Sequence, residues 1–345
     1  MAVYTTIDDA GSYFNPKLWV GSTSSNVITG VGFQPDWLWI KDRDSTANSV
    51  LTDAVRGTDS QLYSNSTSAE GTLSTVVTSF DSDGFTISPS YPTDGNDFVT
   101  WCWKAGTTTG IAGSPSITPN SYSFNATSGF SIIEYTGTGV AATLPHGLGV
   151  APKMIIAKKT SGADGWGVYH AGMDATPEDY YMFLDTNAAK ADSTMWNDTA
   201  PTSTLFSIGT GGDINGSSAV FIAYCFAEIQ GFSKFGTYTG NGNADGPFIY
   251  TGFRPALLII KRTDGTGGWR MYDINRLGYN VSNYQLAANV NSVAQTDVVL
   301  DIVSNGFKLR TSSASNDNGS GQAIIYAAFA DAPLVNSSGV PVNAR

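Results

Sequence analysis

At 345 residues the chain exceeds what one hydrophobic core ordinarily supports, so two or three domains are the starting expectation. Charged residues make up 14 % and aromatics 12 %, with 38 glycines, a balance that suits short strands and tight turns and excludes a mainly solvated, helical protein. The formal net charge of −11, with no run of Lys or Arg longer than a pair, excludes the clustered cations with which nucleic acid is bound.

The opening stretch Met1 to Asp9 has neither the basic start nor the apolar core of a secretory signal. Apolar runs such as residues 256–260 fall far short of the roughly 20 residues that span a membrane. The expectation is a protein made in a cytoplasm, without membrane insertion.

The first landmark, Leu18-Trp19-Val20-Gly21, reads as a strand ending at a turn. Gly32-Phe33-Gln34-Pro35 then leads into Trp37-Leu38-Trp39-Ile40-Lys41. Proline presets the turn and cannot pair in a central ladder, so it marks where the strand starts. Asp83-Gly84-Phe85 is a turn-then-strand signal, and Val99-Thr100-Trp101-Cys102-Trp103 mixes bulky and small residues as a sheet interior requires. Residues 107–125, rich in Thr, Gly, Ser and Pro, read as a linker.

The same landmarks then return in order. The second set is Glu134-Tyr135-Thr136-Gly137, Gly149-Val150-Ala151-Pro152 with Met154 to Lys158, Leu205-Phe206-Ser207-Ile208, and Ile222-Ala223-Tyr224-Cys225-Phe226. The third is Thr237-Tyr238-Thr239-Gly240, Gly252-Phe253-Arg254-Pro255 with Leu257 to Lys261, Asn305-Gly306-Phe307, and Tyr326-Ala327-Ala328-Phe329. In every copy the lysine lies six residues beyond the proline. The repeat predicts an all-β protein of three tandem antiparallel β-sandwich modules, of jelly-roll or lectin-like type. They are expected at residues 1–106, which would serve as an anchor, at 126–230 after the 107–125 linker, and at 231–333, before a polar tail at 334–345. Barely a turn separates the last two, so they should hold a fixed orientation and form the exposed end.

Chemistry-bearing residues are sparse. The two histidines, His146 in a turn and His170 in place of the acid of Tyr272-Asp273, read as structural. The stretches Asp81-Ser82-Asp83-Gly84 and Asp42-Arg43-Asp44 are too short for a calcium loop and read as β-turns. No Asp or Glu is expected to recur at one place in the copies, as a shared glycosidase carboxylate would. The Gly-x-Gly stretches lack the following helix of a phosphate site. The expectation is a non-enzyme with no catalytic residue, no metal and no cofactor. Cys102 and Cys225 hold equivalent places in different copies, which favours buried thiols over a disulfide.

Two segments invite a binding role. Trp166-Gly167-Val168-Tyr169 and Trp269-Arg270-Met271-Tyr272 start at the same distance past their prolines, where the first copy has Ser49. Trp166, Tyr169, Trp269 and Tyr272 would stack on a sugar ring or meet a partner if exposed, and would fill the sandwich core if not.

Several phrases carry a family resemblance: Tyr4-Thr5-Thr6-Ile7-Asp8-Asp9, Gly32-Phe33-Gln34-Pro35-Asp36, Trp101-Cys102-Trp103-Lys104-Ala105-Gly106, Gly129-Phe130-Ser131-Ile132, His146-Gly147-Leu148-Gly149-Val150-Ala151-Pro152-Lys153, Gly231-Phe232-Ser233-Lys234-Phe235, and Asn305-Gly306-Phe307-Lys308-Leu309-Arg310. In these the chain resembles the tandem-repeat virion structural and tail-fibre-like proteins of tailed bacteriophages, especially those of marine bacteria. The resemblance implies a virion protein, in the first place a tail fibre or tail-associated protein taking part in host adsorption. A head decoration or head-fibre protein without receptor binding is the alternative, and a polysaccharide depolymerase a distant third. The implied partners are the chain itself as a homo-oligomer, by default a trimer, other virion proteins of tail or head, and a host surface glycan.

Overall fold

Each Gly-x-x-Pro turn launches the strand predicted after it, with Pro152 and Pro255 at irregularities where strand pairing slips by a residue. The computed structural model describes residues 5–24, 26–71, 76–276, 280, 282–312 and 317–333, so the expected C-terminal tail lies outside the described residues. The first copy contributes β1 (Phe14–Val20), β2 (Asn26–Thr29), β3 (Trp37–Asp42), β4 (Val50–Asp53), β5 (Leu62–Tyr63), β6 (Val77–Asp81), β7 (Gly84–Ile87) and β8 (Asp97–Trp103). The second contributes β9 (Ser121–Asn125), β10 (Phe130–Thr136), β11 (Ala142–Pro145), β12 (Pro152–Lys159), β13 (Trp166–His170), β14 (Tyr180–Phe183), β15 (Ala191–Asp192), β16 (Leu205–Ile208) and β17 (Val220–Ala227). The third contributes β18 (Ser233–Thr239), β19 (Phe248–Tyr250), β20 (Phe253–Arg262), β21 (Arg270–Asp273), β22 (Ser282–Ala287), β23 (Gln295–Val303), β24 (Gly306–Leu309) and β25 (Ala323–Pro333).

The three copies share one strand order. The large sheet of the first runs β1-β8-β3-β4-β5, and β10-β17-β12-β13-β14 and β18-β25-β20-β21-β22 repeat it. The second layer pairs β2 with β7, β11 with β16 and β19 with β24. Each copy is an antiparallel sandwich in which the opening strand (β1, β10 or β18) lies beside the last and the strand after it (β2, β11 or β19) beside the one before the last. In the third copy β22 also pairs with β23, so its two layers join into one eight-stranded sheet.

Burial is two-sided along the large sheets, which is why their strands read as continuous apolar runs. Leu38, Ile40, Phe98 and Cys102 face the first copy's own small sheet, and Ile155, Ala157, Ala223 and Cys225 do the same in the second. The alternate residues, Trp37, Trp39, Trp101 and Trp103 with Met154, Ile156, Tyr224 and Phe226, belong to one large cluster that also holds Leu257, Ile259, Ala327 and Phe329 of the third copy. The inner faces of the three large sheets therefore meet in a single central core.

At its middle stand the three closing-strand aromatics. Trp103 and Phe226 have ring centroids 6.3 Å apart, Trp103 and Phe329 5.5 Å, and Phe226 and Phe329 5.6 Å, all edge to face. Around them the opening-strand aromatics each bridge two copies in the same sense. Phe14 lies 4.8 Å from Trp103 and 5.3 Å from Phe329, Phe130 5.0 Å from Phe226 and 6.4 Å from Trp103, and Phe235 5.9 Å from Phe329 and 6.4 Å from Phe226. The copies form a closed ring about this axis. Ile7 and Ala10, from the segment before β1, are buried in the same core.

Two expectations are corrected. Residues 107–125 are not a free linker: β9 pairs with β10, Thr107 bridges Phe124, and the buried Ile117 donates its N–H to Thr143 O at 3.1 Å. The physical reason is that Ile111, Ile117 and Tyr122 complete the second copy's outer core, while Ser116 and Ile117 cover the edge of β11. Nor is the first copy a separate module, since its inner face packs against the other two in the shared core.

A shared core predicts one cooperative thermal unfolding transition for the whole chain, seen by calorimetry, rather than three. Phe329→Ala should cost about 3–5 kcal/mol and lower that single midpoint. A fragment covering 126–333, stripped of Trp37 and Trp103, should expose the axis and bind a hydrophobic dye.

Candidate functional site

Of the four aromatics singled out in the sequence, none turns a ring face to solvent: Trp166 and Tyr272 are 0 % exposed, Trp269 1 % and Tyr169 3 %. The stacking platform is thereby corrected, because β13 and β21 lie inside sheets covered on both faces. The tryptophans serve instead at the seams between copies. Trp166 Nε1 donates to the carbonyls of Tyr63 (3.0 Å) and Ser66 (3.1 Å) in the first copy, and Trp269 Nε1 to Phe183 O (2.9 Å) in the second. The repeated lysine accompanies them. Lys158 lies 6.0 Å over the Trp166 ring and donates to Thr67 O at 3.3 Å, while Lys261 lies 6.0 Å over Trp269 and donates to Ala188 O at 2.7 Å. Burial lowers both ammonium groups to about 8. In the first copy Ser49 replaces the tryptophan and Lys41 turns to Ala47 O of its own loop at 2.6 Å. That seam is closed by Ser64 Oγ donating to Ala288 O at 2.7 Å and Ala294 N to Arg43 O at 2.9 Å.

A second set of seam contacts runs the other way round the ring, from the end of the fourth strand of each copy. Asp53 accepts from Arg56 Nε at 2.6 Å and from the Tyr224 hydroxyl of the second copy at 2.8 Å, and Arg56 also holds Glu70 at 2.6 Å. Burial alone would lower the Arg56 guanidinium, but Asp53, Tyr224 and Glu70 outweigh it and raise it. Asp273 accepts from Arg276 at 2.6 Å and from Trp101 Nε1 of the first copy at 3.2 Å. Thus an acid does recur, contrary to the expectation: Asp53 and Asp273 lie opposite Trp37 and Leu257, at the place where His170 lies opposite Met154. The Asp-x-x-Arg spacing in two copies was the readable signal, hidden by the middle copy, which has His170 and Met173 instead. These acids are sealed in seams and are structural.

Both histidines are built alike. His170 Nε2 faces Tyr326 O of the third copy at 3.0 Å and its Nδ1 accepts from Gly172 N at 3.0 Å, while His146 Nε2 faces Thr202 O at 3.1 Å and its Nδ1 accepts from Leu148 N at 3.2 Å. With one nitrogen donating and the other accepting, each ring is a neutral imidazole. Burial pushes both down to about 4.

Open space lies elsewhere. A hollow of about 360 Å³ sits between the first copy and the 107–125 segment, lined by Asp36, Val55, Asn120 and Tyr122 among others. A second, of about 220 Å³, opens on the third copy beside its seam with the second. Its origin is one substitution within the repeat. Val50 pairs with Tyr63, Gly167 with Phe183 and Arg270 with Ala287, so an aromatic ring fills this place in two copies and a methyl group in the third. Around Ala287 stand amides, a hydroxyl and an arginine, a set suited to binding and without a nucleophile–base pair.

The seam at His170 makes two predictions. Its imidazole has a folded pKa below the unfolded value of 6.5, so the unfolded chain takes up the proton first; stability is full above about pH 6.5 and falls as the pH drops toward about 4. A shift of this size corresponds to on the order of 3 kcal/mol, readable as a falling melting temperature between those limits. His170→Asp alone should destabilise the chain by burying an unpaired carboxylate beside the Tyr326 carbonyl, and adding Met173→Arg should recover much of the loss by recreating the pair of the other copies.

A family model described as a domain of unknown function, DUF7483, matches residues 9–333. No curated protein and no solved structure matches the chain. The match runs from the turn before β1 to the end of β25 and so takes in all three copies: the chain belongs to the DUF7483 family.

Proposed function

We propose that the chain is a bacteriophage virion structural protein, tail-associated and taking part in host adsorption by binding rather than by catalysis. The observation that carries the reading is the closed ring of three like copies about one aromatic axis. Tail spikes and fibres are built on rotational symmetry, and a chain with three equivalent faces fits a threefold partner without requiring two further copies of itself. The partner on this reading is another virion protein at a threefold position. The landmark phrases that resemble virion repeat proteins support the same conclusion. The buried acids Asp53 and Asp273, the lysines Lys158 and Lys261 and the imidazole of His170 are spent on joining copies, which accords with a binding protein.

Gold-labelled antibody against the purified chain, applied to intact particles, tests the location. Label at the tail is expected, together with slower phage adsorption when excess free chain is added to host cells. Label on the head with unchanged adsorption would replace this reading by head decoration, and particles without the chain would end both.

A further inference from the structure

We infer that the hollow over Ala287 is a binding site for one neutral sugar residue, held where the sister copies hold a phenyl ring. The site is new to the third copy by construction. In the second copy the Phe183 ring lies so close over Gly165 that a Cβ there would come within 2.6 Å of it, whereas a Cβ on Gly268, the counterpart of Gly165, would meet only the amide of Asn289, at 3.2 Å, and no ring, because Ala287 stands in place of the phenylalanine. The volume left, about 220 Å³, is below the roughly 300–1,000 Å³ of sites for larger ligands, and so takes about one ring with its substituents.

The lining decides what kind of ring. Asn187 reaches in from the second copy, and Arg270, Asn289, Ser292 and Gln295 come from the third. Among the described residues the side chains of Asn187 and Ser292 make no hydrogen bond, and Asn289 uses only Oδ1, accepting from Trp269 N at 2.9 Å. Gln295 is oriented by a relay: Tyr272 donates its hydroxyl to Gln285 Oε1 at 2.9 Å, and Gln285 Nε2 donates to Gln295 Oε1 at 2.9 Å. Gln295 Nε2 is left to donate to a ligand. Arg270, the one cation of the lining among the described residues, faces Asp317 at 3.3 Å, so the hollow offers neutral donors and acceptors rather than an unbalanced charge for phosphate or carboxylate. Val290 and Val293, 38 % and 37 % exposed, add an apolar rim for the C–H face of a pyranose. An aromatic knob from a partner protein would fit the volume but would leave the amides unpaired, which a hydroxylated ring does not. Tyr272 acts here as a positioning residue. The biological use of the site rests on the adsorption reading, while the site itself does not.

The test uses the full chain and a panel of methyl glycosides of glucose, galactose, mannose and N-acetylglucosamine, read by saturation-transfer NMR and titration calorimetry. At least one glycoside is expected to bind, and Ala287→Tyr, which restores the ring of the first copy, should weaken it at least tenfold with the melting temperature unchanged or raised. Gln295→Ala, on the surface, should weaken binding with no change in melting. No binding from the whole panel, equal binding by Ala287→Tyr, or binding of p-cresol in preference to every glycoside would overturn the site. A bound sugar in a chain that antibody fails to find on virions would keep the site and remove the adsorption reading.

Discussion

A β-sheet whose two faces are both apolar has to be covered twice, and this constraint organises the molecule. The small sheet of each copy covers one face of its large sheet. The other face carries the bulkiest side chains of the protein, Trp37, Trp39, Trp101 and Trp103 in the first copy alone, and is turned away from the small sheet of its own copy toward the other two copies. Burying a side chain of that size is worth roughly 1.5–3 kcal/mol, so leaving several in water would outweigh the marginal stability of a domain. Three such faces turned toward one axis solve the problem together, and no copy solves it alone.

Apolar burial is non-directional and does not choose among arrangements of three similar sheets. The seams do. On one side the second and third copies each grip a loop of the preceding copy with a lysine over a tryptophan, while the first uses Ser64, and on the other side of every copy an acid or His170 reaches the closing strand of the following one. Buried ion pairs such as Asp53–Arg56 add little net stability over an apolar replacement, but a misplaced partner would strand a charge, so they set order and register at a modest energetic cost.

Much of this was legible in the sequence. The proline turns, the lysine six residues on and the aromatic closing strands carry the sandwich class, the copy number and the equivalence of Cys102 with Cys225, both buried as free thiols in outer cores. The ring was not legible, because Trp103, Phe226 and Phe329 have the same pattern whether they face a private core or a shared axis. Composition misled at 107–125, where Thr, Gly and Ser outnumber the few apolar residues that tie the segment down. Trp166 and Trp269 were ambiguous for a related reason: a strand covered on both sides and a strand with an open aromatic face share one spacing. The hollow at Ala287 was hidden because the residue that matters there is small, and only strand pairing reveals which rings it replaces.

The short passage from β17 to β18, Glu228 to Phe232, ties two seam-forming copies into one covalent thread. A ring assembled from separate subunits dissociates on dilution, since its association is set by mass action. Here the neighbours are tethered at a fixed high effective concentration, and closure is independent of how many molecules are present. The same tether relaxes a genetic constraint. In a homotrimer every change appears three times around the axis, whereas Ser49, His170 and Ala287 each alter one sector and leave the other two intact. The fused ring can thus keep its shared axis while its outward faces diverge one at a time.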